Sequence, residues 1–155
     1  MSEMAYRENI QFSVMFCNDV RLERDGQVTY VGVYQPHLTV KEFPYSFRGF
    51  CVVLNFMAPV DVLGEQICFQ VFRNDKVVME FTPDSGEVPT PNAAIQMSIN
   101  MEVESLEISE PTKFYAQVAI GEKVYRSRNV LNVTTEPFSG TTEQGRETKP
   151  LMNEE

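Results

Sequence analysis

The residues whose types could do chemistry are concentrated at positions 16–21, FCNDVR, where a cysteine, an acid and an arginine stand two residues apart. A cysteine acts as a nucleophile when a base or a positive field stabilises its thiolate. His37 is the only histidine of the chain, and so it is the one candidate imidazole base for Cys17. The segment therefore raises the hypothesis of a thiol enzyme, in which Cys17 attacks the substrate and His37 accepts the proton.

Other catalytic and ligand-binding patterns are missing from the sequence. Three cysteines, at positions 17, 51 and 68, and one histidine lack the paired spacing of zinc ligands. The acidic turn at residues 84–87, DSGE, has too few oxygen donors at alternating positions to hold calcium. The glycines do not form a phosphate-binding loop, and no two carboxylates form an evident acid/base couple. We therefore expect no cofactor and no metal.

The segment that carries Cys17 is predicted to be a β-strand, because its apolar residues recur with a period of two. Asn18 interrupts the pattern, and a bulge or bend is expected there. The dipeptide Asp25-Gly26 then favours the positive φ angles of a tight hairpin turn. One face of the strand is predicted to be apolar and buried, and it consists of Ile10, Phe12, Val14, Phe16, Val20 and Leu22.

The turn determines which residues face each other across the hairpin. A two-residue turn at 25–26 places Leu22 opposite Thr29 on the apolar face. The predicted pairs on the other face are Cys17 with Tyr34, Asp19 with Gly32, and Arg21 with Tyr30. The resulting candidate polar face consists of Cys17, Asp19, Arg21, Tyr30 and Tyr34.

The polar face has a structural interpretation as well as a catalytic one. The Arg21 guanidinium can lie over the Tyr30 ring as a cation–π pair, and Asp19 can form an ion pair with Arg21. Neither a helix N-terminus nor an oxyanion hole follows from the sequence, so nothing evident lowers the pKa of Cys17. We therefore favour the scaffold of a β-hairpin over the thiol enzyme.

The rest of the chain has the same β pattern. Residues 48–58 are apolar on both parities, which predicts a central strand, and residues 95–103 alternate most regularly. A hairpin is expected over 65–81, and the prolines fall between the apolar runs, where a missing N–H breaks no strand pairing. The sequence predicts an all-β fold: a single antiparallel β-sandwich, immunoglobulin-like or C2-like, with about eight strands.

The composition changes after residue 135. Residues 136–155 have few large apolar side chains and many Gly, Thr and Glu, which is typical of a flexible acidic tail. The predicted organisation is a β-sandwich domain over 1–135 followed by this tail over 136–155. The apolar residues that the tail offers as candidate contacts are Phe138, Leu151 and Met152.

Length and charge limit the classes of protein. One domain is expected for 155 residues, and a formal charge of −9 repels phosphate backbones, so we expect no nucleic acid partner. No apolar run approaches the roughly 18 residues that span a bilayer, so we expect no membrane contact. Residues 1–12 lack the apolar region of a secretion signal, and an odd number of cysteines fits a reducing compartment. These features predict a cytoplasmic protein, or part of a virion assembled in the cytoplasm.

The first hairpin carries a family resemblance. Residues 16–21, FCNDVR, are followed by the glycine turn at 25–26 and by VGVY at 31–34. This succession resembles the start of a family of small uncharacterised bacterial proteins known only as a domain of unknown function. The likeness continues more weakly through the strand at 50–56 and the hairpin at 67–81. It implies an all-β domain of bacterial or phage-borne origin, and it carries no known activity to transfer to particular residues.

These observations predict a non-catalytic binding or assembly module that acts through protein–protein contacts. Its partner would be another protein, with a second copy of the chain or a larger particle among the candidates. Two versions are left open, a bacterial adaptor or regulator and a phage-type structural subunit. The alternative is the thiol enzyme that uses Cys17 with His37 as its base.

Overall fold

Alternation of apolar and polar residues produces β-strands through most of the described chain. A computed structural model describes residues 9–84 and 94–137, and within them the only helix is a 3-10 turn over Val60–Gly64. The all-β class predicted from the sequence is confirmed. The strands are, in chain order, β1 Gln11–Leu22, β2 Val28–Val33, β3 His37–Thr39, β4 Tyr45–Phe47, β5 Phe50–Pro59, β6 Ile67–Arg73, β7 Lys76–Phe81, β8 Ala94–Val103, β9 Leu106–Ile108, β10 Thr112–Ile120, β11 Lys123–Arg126 and β12 Leu131–Thr134.

The strands are arranged in two large sheets and one small one. The four-stranded sheet has the order β2-β1-β5-β8 and is antiparallel throughout. The six-stranded sheet has the order β3-β12-β10-β6-β7, and β11 also pairs with β10. Strands β4 and β9 form a separate two-stranded sheet. The two large sheets pack face to face, which makes the fold a β-sandwich.

The core lies between the two large sheets. Strand β5 supplies every second residue from Phe50 to Ala58 to it, and these side chains are buried. The predicted central position of this strand is confirmed, because β1 and β8 flank it on either side. The Phe50 ring centroid lies 5.7 Å from that of Phe16 and 5.0 Å from that of Phe114, so aromatic contacts join the two sheets.

The structure differs from the sequence prediction in strand number and in one pairing. The sequence predicted about eight strands, whereas the described residues contain twelve. Strands β3, β4 and β9 have 3 residues each, which is too short to show a period of two. Strand β3 pairs parallel with β12, with His37 beside Asn132 and Thr39 beside Thr134. This pair joins distant parts of the chain, so no local pattern indicates it.

The register of the β1–β2 hairpin is one residue away from the predicted one. Leu22 lies opposite Val28 and not opposite Thr29. The cause is a turn with three loop residues instead of two, in which the Gly26 amide donates to the Glu23 carbonyl over 3.2 Å. Gly26 has the predicted positive φ, 75°, but the residue before it does not. Such loops combine a type I turn with a single left-handed residue.

The β1 strand changes faces at Asn18, where the sequence predicted an interruption. On the neighbouring strand, Gly32 has a φ of 63° at this point. Beyond it, Val20 packs in the same cluster as Cys17 instead of on the opposite face. The single alternating pattern predicted for the whole strand is therefore wrong beyond Asn18, and the apolar residues that follow lie on the outer face of the four-stranded sheet.

Candidate functional site

Cys17, the candidate nucleophile, is fully buried on β1. Its Cα lies directly opposite that of Cys51 on β5. Val53, Met15 and Val20 complete a small apolar cluster around them, separate from the main core. Buried cysteines in such clusters pack as small apolar residues.

Burial also sets the protonation of the two thiols. It raises the pKa of Cys17, and a hydrogen bond from Cys17 Sγ to the Asp19 carbonyl oxygen, 3.6 Å long, opposes this only in part. The pKa of Cys51 is raised by burial and, further, by the Coulombic effect of Cys17. A raised pKa keeps a thiol protonated at neutral pH, whereas nucleophilic attack requires the thiolate.

His37, the candidate base, lies in a different sheet from Cys17. It belongs to β3 at the edge of the six-stranded sheet, whereas Cys17 belongs to the four-stranded sheet. The His37 Nε2 atom is 3.1 Å from Thr134 Oγ1 and 3.3 Å from the carbonyl oxygen of Glu136. These contacts hold the imidazole at the end of β12.

Asn18 is the centre of a hydrogen-bonded group where β1, β2 and β5 meet. Its side-chain Oδ1 accepts from the Tyr34 hydroxyl, which also lies 3.2 Å from the Gly49 carbonyl oxygen. Burial raises the pKa of Tyr34 to about 12, so this hydroxyl stays a donor. A Cβ at Gly49 would lie 2.5 Å from the Asn18 carbonyl oxygen, and a Cβ at Gly32 would overlap the Asn18 side-chain amide. The close approach explains glycine at both positions.

Two members of the predicted polar face interact as expected. Asp19 and Arg21 form an ion pair, with 2.9 Å between Arg21 Nε and Asp19 Oδ2. Both side chains are largely in solvent, 63% and 42% exposed for Arg21 and Asp19. Exposed ion pairs of this kind contribute about 0.2–1 kcal/mol to stability, so this pair adds little to the stability of the hairpin.

The two tyrosines of the predicted polar face lie elsewhere. Tyr34 turns toward the main core, where its ring centroid is 5.5 Å from that of Phe47. Tyr30 is an exposed residue opposite Val20. The three predicted cross-strand pairs are all displaced by one residue, and the observed pairs are Cys17 with Val33, Asp19 with Val31, and Arg21 with Thr29.

The end of the hairpin extends beyond the rest of its sheet. Strand β5 pairs with β1 only as far as Cys17, so the following residues continue with β2 as a two-stranded ribbon. Leu22 is 80% exposed, although the sequence placed it on the buried face. A period of two shows which residues share a face and not whether a second sheet covers that face, so the sequence could not reveal this exposure. The large apolar residues exposed on the hairpin are Leu22, Val28, Tyr30 and Val33.

The candidate contacts of the C-terminal segment, Phe138, Leu151 and Met152, lie outside the described residues. The described residues end at Pro137, and the carbonyl oxygen of Glu136 accepts a hydrogen bond from Thr134 Oγ1 at 2.8 Å. The predicted domain boundary after residue 135 therefore falls within a contact between Glu136 and the last strand.

No protein-family model matches the chain, and no curated protein is significantly similar to it. The resemblance of the first hairpin to the bacterial family therefore stays a prediction. Within residues 9–84 and 94–137, no helix has the length and apolar character needed to cross a membrane. The same two ranges hold no group of three or more His, Cys, Asp or Glu side chains placed to bind a metal ion.

Proposed function

We propose that this protein is a non-catalytic binding or assembly module whose partner is another protein. The observation that carries the proposal is the exposed apolar end of the β1–β2 hairpin. We call it the ribbon tip and define it as the side chains of Leu22, Val28, Tyr30 and Val33. Contiguous exposed apolar patches are uncommon on monomeric proteins and often mark a contact with another molecule.

The residues of the ribbon tip share one face of the ribbon. Leu22 lies directly opposite Val28, and Tyr30 lies directly opposite Val20, so each pair points to the same side. Val20 packs in the cluster of Cys17, and Cys17 lies opposite Val33. The stripe therefore runs without a break from the buried thiol cluster to the end of the hairpin. Its inner end is anchored in the fold and its outer end is open to solvent.

The stripe is suited to a contact of limited strength. Burying one Leu or Val side chain contributes about 1.5–3 kcal/mol. Association costs about 4–15 kcal/mol of lost freedom of motion, so four side chains do not give high affinity unless other surfaces join them. The acidic chain favours a partner surface that carries positive charge around an apolar centre. Two versions of the module remain proposals, a bacterial adaptor or regulator and a structural subunit of a phage-type particle.

The thiol enzyme is the weaker candidate. Its nucleophile, Cys17, is buried and has a raised pKa, and its base, His37, lies in the other sheet. An assay of the purified protein with an activated ester and a thiol-specific inactivator addresses it directly. Turnover that Cys17→Ser abolishes, while the melting temperature is unchanged, would favour the enzyme over the binding module.

The binding proposal is tested by capture with matched variants. Tagged full-length protein is used to isolate partners from a bacterial lysate, and the same experiment is run with the double variant Leu22→Ser/Val28→Ser. The control is Val124→Ser, because Val124 is a 58% exposed valine on β11, outside the ribbon tip. We expect the tip variant to lose a partner that the wild type and the control retain, with equal melting temperatures. Equal capture by all three proteins would place the contact elsewhere.

A further inference from the structure

Strand β8 is a long sheet edge that, within the described residues, lacks the features that protect edges. It is the outermost strand of the four-stranded sheet, and within the described residues it pairs only with β5. Its 10 residues, AIQMSINMEV, include no lysine, arginine or proline, and its ladder with β5 has no register shift. Natural edge strands are short, bulged or charged, because an open edge is a template for another strand.

The other edges of the two large sheets carry such protection. Strand β7 begins with Lys76 and has a register shift opposite Val71 and Phe72. Strand β3 has 3 residues, and β2 has 6 residues that include the left-handed Gly32. Among the sheet edges in the described part of the chain, β8 therefore combines the greatest length with the least protection.

The hydrogen bonds show which main-chain groups of β8 point outward. The Phe16 carbonyl accepts from the Tyr34 amide, so Phe16 turns its main-chain groups toward β2 and the next residue turns its own toward β5. Along an antiparallel strand, successive residues turn their N–H and C=O groups to alternate sides. Two residues directly opposite each other turn these groups either both toward each other or both away from each other. The register of β1 with β5, and then the register of β5 with β8, extend this alternation to β8. The residues of β8 whose N–H and C=O groups point outward, away from β5, are Gln96, Ser98, Asn100 and Glu102.

We propose that β8 pairs antiparallel with β8 of a second copy of this chain, about a two-fold axis through Ile99. The pairing joins the two four-stranded sheets into one continuous sheet. Because the axis passes through Ile99, each residue of β8 lies opposite a residue of the same parity in the second copy. The core-facing side chains of both copies therefore share one face of the joined sheet, and the solvent-facing side chains share the other. Across the axis, Ser98 lies opposite Asn100 of the second copy, and Met97 lies opposite Met101 of the second copy.

The charge distribution along β8 is complementary in this register. The chain carries a formal charge of −9, but β8 contains a single charged side chain, Glu102. The two-fold axis sets Glu102 opposite Gln96 of the second copy, whose side-chain amide can donate to the carboxylate. The two Glu102 side chains stand at opposite ends of the paired strands, so the dimer avoids a like-charge contact directly across the strands.

The six-stranded sheet adds apolar surface beside the β8 edge. Val78 and Met79 of β7 border an apolar opening of about 120 Å³ together with Val103 and Leu106. Phe81 and Val78 are exposed, and the core-facing side chains of β8 are only half-buried. Covering these groups contributes area beyond the strand pair itself, toward the roughly 1,200–2,000 Å² that stable interfaces bury.

The dimer uses a surface different from the ribbon tip, and it goes beyond the proposed contact with another protein. Loss of either contact leaves the other intact. The tip variant Leu22→Ser/Val28→Ser should therefore form the β8 dimer as the wild type does, and a β8 variant should still capture the partner of the tip. The two proposals can fail separately.

Sedimentation velocity of the full chain tests the dimer. We expect the wild type to associate to twice the mass of one chain, more tightly at moderate than at low salt, because two acidic chains repel less when screened. Ser98→Pro removes an outward N–H in each copy and should raise the dissociation constant about tenfold or more, since two interchain hydrogen bonds are lost. Ser98→Ala keeps the N–H and should dimerise like the wild type.

A second measurement covers the case in which Ser98→Pro fails to fold in a thermal melt. Ser98→Cys is mixed with Asn100→Cys and treated with a short bismaleimide, which should give a covalent dimer. The control mixture replaces both variants with Asn55→Cys, because Asn55 is the exposed β5 residue beside Ser98 on the same face, and in the dimer both β8 strands separate it from Asn55 of the second copy. A wild type that stays monomeric, a dimer that Ser98→Pro leaves intact, or equal cross-linking in both mixtures would overturn the proposal.

Discussion

Cys17 and Cys51 lie directly opposite each other on β1 and β5, and both thiols donate to main-chain carbonyls at the point where β1 changes faces. Cys17 donates to the Asp19 carbonyl and Cys51 to the Asn18 carbonyl, each over 3.6 Å. The pair is only 0% and 3% exposed. Cys17, the candidate nucleophile, is thus part of the packing at the base of the two-stranded ribbon.

The cysteines should be reduced and, in two of three cases, slow to react. Cys17 and Cys51 are buried, whereas Cys68 is half-buried, and all three have raised pKa values because of burial. Alkylation with iodoacetamide followed by peptide mass spectrometry should label Cys68 first. It should label Cys17 and Cys51 only when denaturant is added. A disulfide between Cys17 and Cys51 in freshly purified protein would contradict this expectation.

Stability should decline at alkaline pH. Burial raises the pKa of the Cys17 and Cys51 thiols, and it raises that of Tyr34 from 10.0 to about 12. A group whose pKa is higher in the folded state stabilises the fold fully below its unfolded pKa, and this stabilisation is lost as the pH rises through the folded pKa. The loss should begin above about pH 8.5, the ordinary thiol value.

Thermal melts over a series of pH values measure this decline. Tyr34→Phe is the matched variant, because it keeps the ring and removes the titrating hydroxyl that contacts Asn18. It should be less stable than the wild type at neutral pH and should lose less further stability between pH 10.0 and about 12. A wild-type melting temperature that stays constant from neutral pH to strongly alkaline pH would rule out the role of these buried groups.

The two left-handed glycines of the hairpin should differ in their response to substitution. A side chain at Gly26 meets no atom within 4 Å, so Gly26→Ala and Gly26→Val carry only backbone strain, about 1–3 kcal/mol. A side chain at Gly32 also overlaps the Asn18 amide. Overpacking of this kind costs about 1–3 kcal/mol more. Urea denaturation should therefore show a larger loss for Gly32→Ala than for Gly26→Ala, and equal losses would mean that Asn18 moves aside freely.

Truncation separates the C-terminal segment from the domain. The last described strand ends at Thr134, and the Glu136 carbonyl contacts Thr134 and His37. A chain that stops after Pro137 should keep these contacts and melt like the full chain, whereas one that stops after Thr135 should melt slightly lower. Capture of a partner by both shortened chains, compared with the full chain, then tests whether the predicted tail over 136–155 contributes to the contact through Phe138, Leu151 and Met152. Unfolding of the chain that stops after Pro137 would show that the segment belongs to the domain.

The sequence predicted the fold class better than it predicted the candidate site. The alternation over 95–103 predicts β8, and the apolar residues on both parities of 48–58 predict the central strand β5. Both patterns are properties of the local order of residues. The hairpin register depends on whether the turn at Gly26 uses two residues or three, and the sequence Asp-Gly serves both. The exposure of Leu22 depends on where β5 stops pairing with β1, which no residue near Leu22 encodes.

The parallel pair of β3 with β12 has a consequence for the order in which the protein can fold. His37 and Thr134, in contact at 3.1 Å, are separated by 97 positions in the chain. During synthesis, β3 is made before β12 and cannot form this pair until β12 follows. Contacts of such long range slow folding and leave strand edges open in the meantime. The β3 edge of the six-stranded sheet can therefore be completed only after β12 has been synthesised, and until then the strand that β3 will pair with is missing.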